Sequence, residues 1–138
     1  MRELPRELTV EELEELFGGR SALVGVLAET EDPLGRAEEV AAGLSDEDKI
    51  EALAGHPRIG EPSPEQSGED PAVLTELAYL NQVYEEKFGF RFVVFVAGRP
   101  RSEVLPVLRE RLARTREEEL ETGLAELVAI AQDRWQRR

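Results

Sequence analysis

One run of residues in this 138-residue chain has the composition of a β-strand, Phe90 to Ala97 (FRFVVFVA), and no second run matches it. A strand needs a partner to satisfy its backbone. A solitary β-like run therefore argues against a sheet and for an all-α fold. Two readings of the run itself stay open: an extended segment buried among helices, or the first turn of a helix. The extended form leaves N–H and C=O groups that require partners, and a polar ligand is one way to supply them.

The remainder of the chain reads as capped helices. Thr9 followed by Glu12 fits a capping box, with Leu13, Leu16 and Phe17 on one face and Gly18-Gly19 as the stop. Ser21 opens a short apolar segment (SALVGVLA) that reads as helical. Asp32-Pro33 places an N-cap before a proline at the first helical position, and Ser45 with Asp48 starts another helix that Gly55 ends. Residues 56–70 (HPRIGEPSPEQSGED) hold three prolines and two glycines and read as a loop. Asp70-Pro71 repeats the cap-plus-proline signal before a long helix through Leu77, Tyr84 and Phe88, closed by Gly89. Ser102 is expected to cap a helix through Leu112. Thr115 and Glu118 form a second capping box ahead of a last helix running to about Trp135. The expectation is one domain, residues 1–138, built from six or seven helices.

Charge narrows the partners. Residues 1–70 carry 19 acids and 6 bases, and residues 71–138 carry 11 of each, so the whole net charge of −13 sits in the first half. Such a chain lacks the basic stripe that nucleic acid requires. Arg109, Arg111, Arg114 and Arg116 interleave with Glu110 and Glu117 to Glu119 and read as a solvated helix face with i,i+4 pairing. The chain has no cysteine, which excludes disulfides, a thiol nucleophile and a Cys-ligated zinc site. With no apolar leader in MRELPRELTVEELEELF and no stretch approaching 18 apolar residues, a cytoplasmic protein without membrane contact is expected.

The chain has one histidine, His56, directly after the Gly55 stop and before Pro57, at the mouth of the Pro/Gly-rich loop. Loops mounted on rigid helices are where reactive groups tend to sit, and imidazole is the side chain best suited to move protons near neutral pH. Glu65 lies nine residues on in the same loop, next to Gln66; spacing alone does not pair it with His56. No histidine-rich metal site, calcium loop, nucleotide-binding glycine loop or nucleophile elbow is present, so no cofactor and no metal is implied.

The blocks His56-Pro57-Arg58-Ile59-Gly60, Glu65-Gln66-Ser67-Gly68 and Leu80-Asn81-x-x-Tyr84-Glu85-Glu86-Lys87-Phe88-Gly89-Phe90-x-Phe92-Val93, with Ile130-Ala131-x-x-Arg134 near the end, resemble the OHCU decarboxylases. OHCU is 2-oxo-4-hydroxy-4-carboxy-5-ureidoimidazoline, an intermediate of urate degradation. The resemblance covers nearly the full chain. It implies a compact, all-helical, homodimeric, cofactor-independent lyase that converts OHCU to (S)-allantoin and carbon dioxide. By that resemblance His56 is the catalytic histidine and Glu65 the catalytic carboxylate. Pro57, Gln66 and Arg134 are substrate contacts, and the backbone of Phe92, Val93, Val94 and Phe95 hydrogen-bonds the substrate. Two positions depart from the family pattern. Pro62 replaces a serine, with Ser63 beside it, and Arg91 stands where proline is common, a change expected to alter only backbone stiffness. The competing reading is a non-catalytic helical module that keeps the fold and binds a ligand or partner.

Overall fold

The computed structural model describes residues 3–57 and 70–137. Within them the chain forms seven helices: α1 (Val10–Phe17), α2 (Ala22–Leu27), α3 (Pro33–Ala42), α4 (Asp46–Ala54), α5 (Pro71–Phe88), α6 (Arg101–Leu112) and α7 (Arg116–Arg137). No strand occurs among the described residues. Residues 91–96 run between α5 and α6 as neither helix nor strand, so the β-like run takes the extended reading and not the helical one.

The caps account for most of the boundaries. Thr9 and Glu12 form the reciprocal capping box of α1, and Thr115 and Glu118 repeat it at the start of α7. The side chains of Ser21, Ser45 and Asp70 accept from the first turns of α2, α4 and α5. Gly18 and Gly89 end α1 and α5 in the left-handed conformation that glycine adopts without a Cβ penalty. Two boundaries differ from expectation. Asp32 stands at the N-cap of α3 but its side chain makes no capping bond. The start of α6 is set by Pro100 and not by Ser102, which lies inside the helix. Proline's fixed φ suits the entry to a helix, so the turn before α6 can close without a hydroxyl cap.

Helix α7 organises the core. Its buried stripe runs through Leu120, Gly123, Leu124, Leu127, Val128 and Ala131, and it packs against α1, α3 and α4, while α5 packs against α6. At Gly123 a Cβ would approach Leu53 to 3.3 Å, which is how closely α4 lies on α7. The ends of α1 and α4 meet still more tightly: a Cβ on Gly18 would stand 2.6 Å from the carbonyl oxygen of Gly55. These two glycines bring the C-termini of both helices together immediately before His56.

The arginine-rich stretch corrects an expectation. Arg109, Glu110, Glu117 and Glu118 are exposed as expected, but Arg111 is buried, and Glu119 is wholly excluded from solvent. Glu119 accepts from Arg111 Nε at 2.7 Å, from the Tyr84 hydroxyl at 2.7 Å and from Arg114 at 3.0 Å. Arg111 also donates to the carbonyl of Val93 at 2.7 Å and lies 4.6 Å over the Phe92 ring. The extended segment thus finds partners in side chains where a sheet would have supplied a ladder. Val93 is held by Arg111, and the Phe95 and Val96 carbonyls are held by Arg99 at 2.8 and 2.9 Å. Tyr84, Phe88, Phe90 and Phe92 pack ring against ring beneath it, with centroids 4.6–6.0 Å apart.

Candidate active site

His56 follows the α4 C-cap and is buried, with its backbone N–H bonded to the Leu53 carbonyl at 3.2 Å. It faces a pocket of about 280 Å³ bordered by Pro57, Phe92, Val93, Val94, Phe95, Val96, Ala97, Arg101 and Ile130. The extended segment forms one wall, α6 contributes Arg101 and α7 contributes Ile130. His56 Nε2 is buried and has no hydrogen-bond partner among the described residues. A pocket this small, mostly apolar and headed by one imidazole suits a compact heterocycle better than a nucleotide.

Electrostatics keep that imidazole neutral. Burial is the main cause, and the positive charges of Arg134 and Arg91 act in the same direction, pushing His56 from its ordinary 6.5 down to about 4. Both arginines are anchored on helix ends. Arg134 donates from α7 to the Leu16 carbonyl at 3.0 Å and the Glu15 carbonyl at 3.5 Å, in the last turn of α1. Arg91 donates to the Ala54 carbonyl at 2.9 Å and to the His56 carbonyl. Cations at helix C-termini satisfy carbonyls that have no partner within the helix and complement the dipole. The expectation that Arg91 alters only backbone stiffness is therefore corrected: its guanidinium is bonded to the backbone that carries the histidine.

Of the residues singled out from the sequence, His56, Pro57, Phe92, Val93, Val94 and Phe95 meet around this one pocket. Arg134 is close enough to His56 to act on its charge and does not border the pocket. Glu65 and Gln66, with Arg58, Pro62 and Ser63, lie outside the described residues. The structure adds Val96, Ala97, Arg101 and Ile130. Ile130 belongs to the terminal motif already noted. Arg101 gave no sequence signal beyond being a basic residue after a turn, yet its buried guanidinium makes it the pocket's one cationic lining residue among those described. No described carboxylate borders the pocket, and among the described residues no group of three or more His, Asp or Glu is placed to hold a metal ion.

Fold and site together define an all-α domain with a histidine-headed pocket walled by one extended segment. The chain belongs to the OHCU decarboxylase family, whose model matches residues 2–136. A crystal structure of OHCU decarboxylase in the presence of (S)-allantoin superposes with a TM-score of 0.76 at 28% identity, covering 89% of this chain and 94% of that one. The uric acid degradation bifunctional protein of Bacillus sp. (strain TB-90) is 29% identical over 94% of this chain. The 2-oxo-4-hydroxy-4-carboxy-5-ureidoimidazoline decarboxylase of Halalkalicoccus jeotgali is 28% identical over 63% of it. The chain spans 30% of the length of the Bacillus protein and 56% of the Halalkalicoccus protein.

Proposed function

We propose that this chain decarboxylates OHCU to (S)-allantoin and carbon dioxide in urate degradation, without a cofactor. The observation that carries the reading is the buried, neutral His56 imidazole, which borders a small pocket walled by Phe92 to Phe95 and whose Nε2 has no partner among the described residues, in a chain of the OHCU decarboxylase family.

The chemistry follows from the substrate. The bond between the ring carbon and its carboxylate breaks and carbon dioxide leaves. The electron pair left behind forms a double bond to the neighbouring ring carbon, whose C=N electrons move onto nitrogen. That nitrogen takes up a proton, giving an enol-like intermediate. The hydroxyl on the first carbon then loses its proton to become the carbonyl of allantoin, and the second carbon is protonated from one face. One proton is consumed overall. A neutral imidazole accepts the hydroxyl proton without first shedding one of its own, and His56 is held in that state across the neutral range. Glu65 orients the ring. The extended backbone and Arg101 hold the oxygen-rich ring and the carboxylate, Gln66 contacts the substrate, and Arg134 supports His56. Pro57 shapes the pocket rim. The anchoring role assigned to Arg134 by family resemblance is shared in this reading with Arg101, which borders the pocket directly.

The same reading makes the protein a cytoplasmic homodimer. No described helix is long and apolar enough to cross a membrane, and sedimentation analysis tests the dimer. Activity is tested by generating OHCU in situ from urate with urate oxidase and hydroxyisourate hydrolase and following the circular dichroism of (S)-allantoin. The wild-type chain is expected to form allantoin faster than spontaneous decay. A rate equal to spontaneous decay favours the non-catalytic module.

A further inference from the structure

We propose that Arg91 is a positioning residue of this site: its guanidinium, bonded to the carbonyls of Ala54 and His56, fixes the peptide that carries the imidazole and so aims the ring into the pocket. The proposal rests on the reading of His56 as the reactive group and goes beyond it, because Arg91 itself borders no part of the pocket.

Pro57 has no N–H, so the His56–Pro57 peptide offers only its carbonyl to any hydrogen bond. On its N-terminal side His56 is tied down by the bond to the Leu53 carbonyl and by the contact of Gly55 with the end of α1. On its C-terminal side the one available handle is that carbonyl, and Arg91 takes it. The same nitrogen donates to the Ala54 carbonyl at 2.9 Å, so one planar group spans the last residue of α4 and the histidine itself. Arg91 is in turn held by its neighbours, since Phe90 and Phe92 are both buried in the aromatic cluster. The clamp therefore joins the two walls of the pocket, the α4 terminus that bears His56 and the segment running from Phe92 to Phe95.

The charge has a second effect. Among the described residues, the charged groups near His56 come from three elements: Arg91 from the extended segment, Arg134 from α7 and Arg101 from α6. Arg91 and Arg134 both disfavour protonation of the ring, after the larger effect of burial. Removing Arg91 withdraws one of these charges and frees the peptide beneath the ring, so both consequences move His56 toward its ordinary titration.

A simple helix cap would stabilise α4 and do nothing more, and the test separates the two roles. His56 is the only histidine in the chain, so its imidazole NMR signals can be followed through a pH titration without ambiguity. In Arg91→Met the midpoint is expected to rise toward 6.5. The kcat on OHCU should fall by about 100-fold, the scale of a misplaced reactive group, with KM changed by less than about twofold. Arg91→Lys, which keeps a charge and can reach the same carbonyls, should restore most of both. Circular dichroism confirms that each variant is folded; should Arg91→Met be too unstable, Arg91→Gln is expected to move both readouts in the same direction. An unmoved His56 midpoint in the folded neutral variants would overturn the proposal. If the wild-type chain itself fails to turn over OHCU, the functional reading falls, while the NMR titration still decides the role of Arg91.

Discussion

Replacing Glu119 by alanine removes the buried carboxylate that pairs with Arg111. The two side chains are 0% and 6% exposed and meet at 2.7 Å, so the mutation strands a guanidinium out of water. Breaking a buried pair by deleting one partner costs about 3–5 kcal/mol. The Tyr84 hydroxyl, which burial and its bond to Glu119 keep protonated, also loses its acceptor. Taking roughly 4 kcal/mol, against a total of about 5–15 kcal/mol for a typical domain, the variant should lose a large share of its stability. In a chain of this size each kcal/mol corresponds to roughly 3–4 °C, so Tm should drop by about 12–16 °C. The exposed Arg109–Glu76 pair is the control, since surface ion pairs contribute about 0.2–1 kcal/mol and Glu76→Ala should change little. Urea denaturation followed by far-UV circular dichroism measures both. A conservative apolar replacement of the pair, Arg111→Met with Glu119→Leu, should recover much of the loss. It should not recover affinity, because Arg111 also holds the Val93 carbonyl on the pocket wall. A cost below about 1 kcal/mol for Glu119→Ala would refute the idea that this network clamps the extended segment.

Three further outcomes follow from the site. Because the folded pKa of His56, about 4, lies below its ordinary 6.5, the unfolded chain binds more protons between those values. The histidine's contribution is therefore complete above about pH 6.5 and is lost as pH falls toward 4. Between pH 7.5 and 5.5 this amounts to about 1.4 kcal/mol, read as the difference in pH dependence between wild type and His56→Asn in urea titrations; equal slopes would contradict it. Arg101→Gln should raise KM for OHCU by about tenfold or more, the scale of a charge-assisted hydrogen bond, with a smaller effect on kcat; unchanged KM would remove its role in holding the carboxylate. Since net charge repels an anionic substrate, added salt should raise kcat/KM modestly, whereas a steep fall would show that long-range attraction dominates.

The parts legible in the sequence are those governed by local chemistry. Thr9 with Glu12, Thr115 with Glu118, and Gly89 announce helix ends because capping is decided within a few residues. The isolation of the Phe90–Ala97 run pointed to a helical protein and left the run itself as an extended piece or a helix start, and the motif around His56 led to residues that meet at one pocket. Long-range pairing was not legible. Glu119 sits in a run of three glutamates and looks like its neighbours, and it meets Arg111 across the turn between α6 and α7 and Tyr84 from α5, 35 residues away. One signal was present: Glu119, Gly123 and Leu127 fall at spacings of four on a single face, so this glutamate lies on the stripe that the apolar residues bury. Arg91 gave no such hint. Its two acceptors lie 37 and 35 residues away in sequence, and only the approach of α4 to the extended segment joins them.

If His56 performs the proton transfer of OHCU decarboxylation, wild type and His56→Asn must differ sharply on freshly generated OHCU. The wild type should form (S)-allantoin and the variant should lose about 10²–10⁴-fold in kcat, with the helical circular dichroism unchanged at pH 7.5. A folded His56→Asn protein that produces (S)-allantoin at the wild-type rate would contradict that role.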